Sequence, residues 1–205
     1  MTKKKTAMFG GSFDPVHLGH LFLLHKAVES TSYERFVIVP AYMSNFKQDK
    51  YLSATPEQRL EMMKLALEDY RKIYRNDRPA EFVVSDEELS RQGVSYTYDT
   101  VVSIRERYNL TDRLGMLIGD DHLERLSQWY RFEELKDIVT FIICPRENEK
   151  PNWSLIPNGC DYIALDTERL APESATRVRD NIDAFMTDLP EKVRDYVRKN
   201  NLYRS

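Results

Sequence analysis

The sequence predicts an α/β domain built as a parallel sheet with helices on both faces. Short, strongly apolar runs of strand length recur along the chain, and segments with helical spacing lie between most of them. Length adds a bound: 205 residues suffice for one core and are short for two, so a single domain over 1–205 is expected.

The first run, Thr6–Phe9, ends at Gly10-Gly11, and helical spacing follows over Leu18–Ser30. Phe36–Val39 is the next strand, Pro56–Tyr74 the next helix, then Phe82–Val84 and Tyr98–Arg107. Gly115–Ile118, a helix over Asp121–Leu135, Val139–Cys144 and Tyr162–Leu165 continue the alternation. Glu147–Asn158, rich in Pro, Asn and charge, reads as a surface excursion. Pro172 precedes an expected helix over Ser174–Phe185, with Ser174 or Thr176 in its first turn, and Pro190 suits the first turn of Pro190–Asn200. In such a sheet ligands collect beyond the carboxyl ends of the strands, where strand order reverses. Gly10-Gly11, Gly119-Asp120-Asp121 and Arg146 each follow a strand and are expected along that edge.

Composition narrows the function. The formal net charge is −3 with the signs mixed, which argues against nucleic acid as the main partner. Lys3-Lys4-Lys5 is short and reads as a solvated terminus. No apolar stretch reaches the roughly eighteen residues of a membrane span, and the first residues lack the apolar core of a signal peptide, so no membrane is expected and the expected location is the cytoplasm. Cys144 and Cys160 lack metal-type spacing and read as inert thiols of a reducing compartment.

The densest chemistry lies in Gly10-Gly11-Ser12-Phe13-Asp14-Pro15-Val16-His17-Leu18-Gly19-His20. Glycines let a ligand approach the backbone, and the helix that follows offers free N–H groups and positive potential to an anion. His17 and His20 are expected one helical turn apart on one face. Taken singly, either histidine also fits a buried turn in which one ring caps and the other packs. Zinc is not expected, because no Glu lies between the two in the metalloprotease pattern and no third ligand is near.

Residues 10–21 resemble the opening motif of the His-x-Gly-His nucleotidyltransferases and, more narrowly, of the bacterial-type nicotinate (nicotinamide) mononucleotide adenylyltransferases. Further segments resemble that family in the same order: Lys47 with Pro56–Met62, Arg91–Thr100, Leu117–Asp121 with Leu126 and Trp129, Ser174–Arg179, and a closing helix over Leu189–Tyr203. The resemblance implies a Rossmann-like domain that joins ATP to nicotinate mononucleotide, with Mg²⁺ arriving on ATP and no dedicated metal site. It implies that His17 and His20 contact the ATP phosphates, with Phe9, Gly10, Gly11, Ser12, Phe13 and Gly19 lining the turn. Thr176 and Arg179, with Ser174, would hold the outer phosphates, and Lys47 and Arg146 would bridge phosphates from loops. Gly119 and Asp121 would meet ribose. Trp129 would stack on the pyridine, while Ser95, Tyr96 and Thr97 meet its substituent and Ser12 and Lys47 reach the mononucleotide. By the same resemblance His17, His20, Lys47 and Arg179 form the catalytic group.

The chain departs from the family pattern at Ala175, where a second serine is usual, at Glu147-Asn148, and at Asn45-Phe46-Lys47. Open alternatives are the same chemistry on nicotinamide mononucleotide or phosphopantetheine, a cytidylyltransferase, and a catalytically silent nucleotide-binding protein of this fold. A homo-oligomer also stays open.

Overall fold

Every expected strand forms: β1 Thr6–Gly11, β2 Arg35–Pro40, β3 Glu81–Val84, β4 Leu114–Gly119, β5 Val139–Cys144 and β6 Tyr162–Ala164. The structure, a computed structural model, describes residues 4–42, 54–91, 93–145, 152–165 and 175–204. All pairings are parallel, in the order β3-β2-β1-β4-β5-β6. From β1 the chain winds outward through β2 and β3, then returns to the other side of β1 as β4. The reversal therefore falls between β1 and β4, giving a Rossmann-like sheet.

Alternation along the strands explains why both faces are covered. Ala7 and Phe9 of β1, Phe36 and Ile38 of β2, Leu117 of β4 and Ile142 of β5 enter one core. Met8, Val37, Val39, Met116, Ile118, Phe141 and Ile143 enter the other. Helices α1 (Leu18–Ser30), α2 (Pro56–Ile73) and α7 (Glu191–Lys199) cover the first face. α4 (Thr97–Arg107) and α5 (Phe132–Ile138) cover the second. Two short helices, α3 (Glu87–Arg91) and α6 (Ala175–Asp180), complete the set. α2 begins with a reciprocal cap: Thr55 Oγ1 accepts from the Gln58 N–H at 3.3 Å, and the Thr55 N–H donates to Gln58 Oε1 at 2.9 Å. α7 is pinned to α2 where the Lys192 N–H donates to Asp69 Oδ2 at 2.7 Å, so a side chain of one helix caps the next.

Several helix limits differ from the sequence expectation. The helix expected over Asp121–Leu135 is a 3-10 helix, Asp120–Gln128, followed by α5. Arg131 separates them in the left-handed region at φ 52°, a conformation no right-handed helix contains, with its guanidinium 4.1 Å from the Tyr98 ring centroid and its Nε on Glu134 at 3.0 Å. The helix expected over Ser174–Phe185 ends as α6 at Asp180, because the Asn181 side chain takes the Ala184 N–H at 3.2 Å and turns the chain locally. Pro190 stands outside α7 as its cap, with ψ 148°. α3 was not expected. Among the described residues no helix is long and apolar enough to cross a membrane.

Candidate active site

Three strands carry the expected residues to one edge of the sheet. β1 ends in Gly10-Gly11, β4 in Gly119 and β5 in Cys144, with Gly119 paired to Cys144. At Gly11 an added Cβ would lie 2.9 Å from Cζ of Phe13, so any larger residue there would force the Phe13 ring to move. Phe13 adopts φ 47° and is 1% exposed, its ring edge-on to Phe9 at 5.3 Å and to His20 at 5.0 Å.

The histidine pair differs in detail from two positions on a helix face. His17 is the residue before α1, extended at φ −137° and ψ 171°, and His20 is the third residue of the helix. The His17 N–H donates to Nδ1 of His20 at 3.2 Å, and the ring centroids are 3.7 Å apart. A backbone N–H only donates, so Nδ1 of His20 accepts and a neutral His20 carries its hydrogen on Nε2. His17 is buried and His20 half-buried. The pair thus presents a donor beside the N-terminus of α1, the polarity an anion requires.

Behind the turn lies a polar cluster built on Arg59, Asp14 and Tyr203, to which sequence reasoning gave no role, together with the expected Arg179 and Thr176. Arg59 of α2, 0% exposed, donates through Nη1 to the carbonyls of Ser12 at 2.8 Å and Ala41 at 2.6 Å, and through Nη2 to that of Tyr42 at 3.4 Å. One guanidinium therefore ties the loop after β1 to the loop after β2. Burial lowers its pKa from the usual arginine value, opposed chiefly by Asp14, and an arginine remains charged there. Asp14, also 0% exposed, accepts at Oδ1 from the Ala54 N–H at 3.1 Å and the Tyr203 hydroxyl at 2.7 Å. Arg179 of α6 donates to the Asp14 carbonyl and, at 3.2 Å, to Thr176 Oγ1. A signal for Arg59 was present: it falls on the stripe of α2 that buries Met62, Met63, Ala66 and Tyr70.

The other half of the edge gathers the segment around Ser95–Thr97 and Trp129. Tyr96 stands before the first residue of α4, and its ring lies 4.5 Å from that of Tyr130, which joins this segment to the chain just past the 3-10 helix. Trp129 is half-buried, edge-on to His122 at 5.6 Å. Glu88 of α3, 8% exposed, accepts from Thr100 Oγ1 at 2.7 Å, and Arg91 donates to the same hydroxyl at 3.1 Å. Burial, the largest influence, pushes the Glu88 carboxyl above the usual carboxylate range against the Thr100 and Ser95 hydroxyls. Asp121 is exposed in the first turn after Gly119. Lys47, Arg146 and Ser174 lie outside the described residues.

Among the described residues no group of three or more His, Cys, Asp and Glu is arranged to hold a metal ion. The turn offers imidazole and backbone amide, which suit phosphate oxygen, whereas Mg²⁺ takes oxygen ligands.

The cytidylyltransferase-like family matches residues 8–181 of this sequence. The chain belongs to the cytidylyltransferase-like family. It is 34% identical over 200 residues to a probable nicotinate-nucleotide adenylyltransferase of Hydrogenobaculum sp. (strain Y04AAS1), covering 96% of this chain and 97% of the relative. A probable nicotinate-nucleotide adenylyltransferase of Bacillus mycoides (strain KBAB4) is 32% identical over 208 residues, covering 98% and 100%. Among solved structures, the Plasmodium falciparum nicotinic acid mononucleotide adenylyltransferase complexed with NaAD superposes with a TM-score of 0.79 at 23% identity, covering 98% of this chain and 97% of that one. At that identity the likeness speaks for the fold.

Proposed function

We propose that this protein is a nicotinate-nucleotide adenylyltransferase of NAD biosynthesis, acting in the cytoplasm, with residues 1–205 forming one nucleotidyltransferase domain. A phosphate oxygen of nicotinate mononucleotide attacks the α-phosphorus of ATP. The bond from that phosphorus to the β-phosphate bridging oxygen breaks, and pyrophosphate leaves with its electron pair. The nucleophile is already anionic, so no base is required and the demand is alignment and charge neutralisation.

The observation that carries the reading is the His17–His20 pair at the N-terminus of α1, directly beyond the diglycine end of β1. His20 donates Nε2–H to a phosphate oxygen, and His17 holds the ring that does so. Gly10 and Gly11 admit the phosphates to the backbone, with Ser12 beside them. Thr176 and Arg179 take the outer phosphates, joined by Lys47 and Arg146 from their loops. Gly119 and Asp121 face ribose, Trp129 stacks on the pyridine, and the main chain at Ser95, Tyr96 and Thr97 meets its carboxylate. Mg²⁺ carried on ATP would supply charge neutralisation on the phosphates, held by phosphate oxygens rather than by a dedicated protein site.

Pyrophosphate release with ATP and Mg²⁺ tests this, comparing nicotinate mononucleotide, nicotinamide mononucleotide and phosphopantetheine. The expected result is fastest release with nicotinate mononucleotide. Release with phosphopantetheine alone, or with none of the three, overturns it.

A further inference from the structure

We infer that Tyr203 is a positioning residue: through Asp14 its hydroxyl fixes the loop that carries the histidine pair. The inference rests on the adenylyl-transfer reading and extends it to a residue 189 positions from the one it holds.

Asp14 lies between Phe13, which packs edge-on against His20, and His17 itself. A fully buried carboxylate is tolerable only where donors surround it, and Asp14 Oδ1 receives the Tyr203 hydroxyl at 2.7 Å and the Ala54 N–H at 3.1 Å. Arg179 holds the carbonyl of the same residue, and Arg59 holds that of Ser12 at 2.8 Å. Residues 12–14 are thus gripped from α2, from α6 and from the turn after α7.

That turn is built to deliver the phenol. The Leu202 N–H returns to the Val197 carbonyl at 3.1 Å, and buried Leu202 joins the core that also holds Met62 and Val193. Tyr203 then adopts φ 63°, a region an aromatic residue seldom enters, and its hydroxyl reaches inward to Asp14, 4.0 Å from Met62 Sδ. Burial first, and the Asp14 carboxylate next, push the phenol above the usual tyrosine range, so it remains a donor. The turn is held in this conformation by the buried Leu202 on one side and by the bond to Asp14 on the other.

Tyr203→Phe in the full chain removes one oxygen and leaves the ring and the turn. The expected result is a fall in kcat of about tenfold, with KM for nicotinate mononucleotide unchanged, because a small misplacement of positioned groups lowers the rate more than the affinity. A second readout needs no activity: the ring ε1 proton resonances of the four histidines. Those of His17 and His20 move in the variant, and those of His25 and His122 stay. Unmoved resonances with wild-type kcat overturn the inference, whatever happens to Tm. Loss of the folded protein overturns it too, since the hydroxyl then serves the fold alone. Should the wild-type chain release no pyrophosphate, the activity reading fails while the resonances still decide the role of Tyr203.

Discussion

The ring of Phe13 fills the space a side chain at Gly11 would need, its Cζ 2.9 Å from the position of an added Cβ. Phe13 cannot retreat, being 1% exposed between Phe9 and His20. Gly11→Ala is therefore expected to lower stability by about 1–3 kcal/mol, as overpacking does, and to displace His20. Gly10→Ala meets only Met8 Cε at 3.9 Å, an ordinary contact. It should unfold like the wild type in urea yet bind ATP more weakly, because under the proposed function its methyl would stand where phosphates approach. Equal stability of the two variants refutes the argument.

His20→Ala removes the Nε2 donor and should lower kcat by about a hundredfold, the scale of losing one preorganised donor to a developing charge. The His17 N–H loses its acceptor on Nδ1 as well, so a modest loss of stability and a correspondingly lower Tm accompany the fall in rate. Steady-state pyrophosphate release beside a thermal melt checks both.

Arg59→Lys keeps the charge but cannot span the carbonyls of Ser12, Ala41 and Tyr42. Hydrogen bonds from a charged group contribute about 1.5–3 kcal/mol each, and the loss expected in urea unfolding is about 3 kcal/mol. A loss within experimental error would show that the carbonyls find other donors.

Trp129→Ala should raise KM for the mononucleotide several-fold, aromatic stacking being worth about 1 kcal/mol, and leave KM for ATP alone. An effect confined to ATP would move the pyridine elsewhere.

Glu88 gives a pH dependence. Its folded pKa is raised, so the folded state holds the proton more tightly than the unfolded chain. Stability from this group is fully present below the ordinary carboxylate pKa and is lost as pH rises through the raised value. Glu88→Gln keeps an acceptor for the Thr100 hydroxyl and does not titrate. The variant should therefore match the wild type in acid and become the more stable of the two towards neutral pH, as urea midpoints across that range will show.

The sheet was legible because each strand is a local, nearly unbroken apolar run, and β5 begins and ends at the expected residues. Helix ends were less so: the break at Arg131 depends on Tyr98 and Glu134, and the end of α6 on the side chain of Asn181. The glycine turn and both histidines were legible because they are contiguous. The stripe of α2 marked Arg59 as buried but not the carbonyls it holds, and Tyr203 left no pattern, since its partner lies 189 residues away. Even for His17, sequence gave the neighbour and not the role, for it precedes the helix it was expected to join.

The bond between Asp14 and Tyr203 also bears on how the chain folds. Closing a contact over 189 residues carries the entropy of a long loop, so it is expected to follow the more local contacts of the sheet. β1 and β2 can pair early, but the corner beside His17 acquires its final support only when the turn after α7 docks. Nucleotide binding during refolding should lag behind the appearance of the sheet, making ATP affinity a reporter of the last step of assembly.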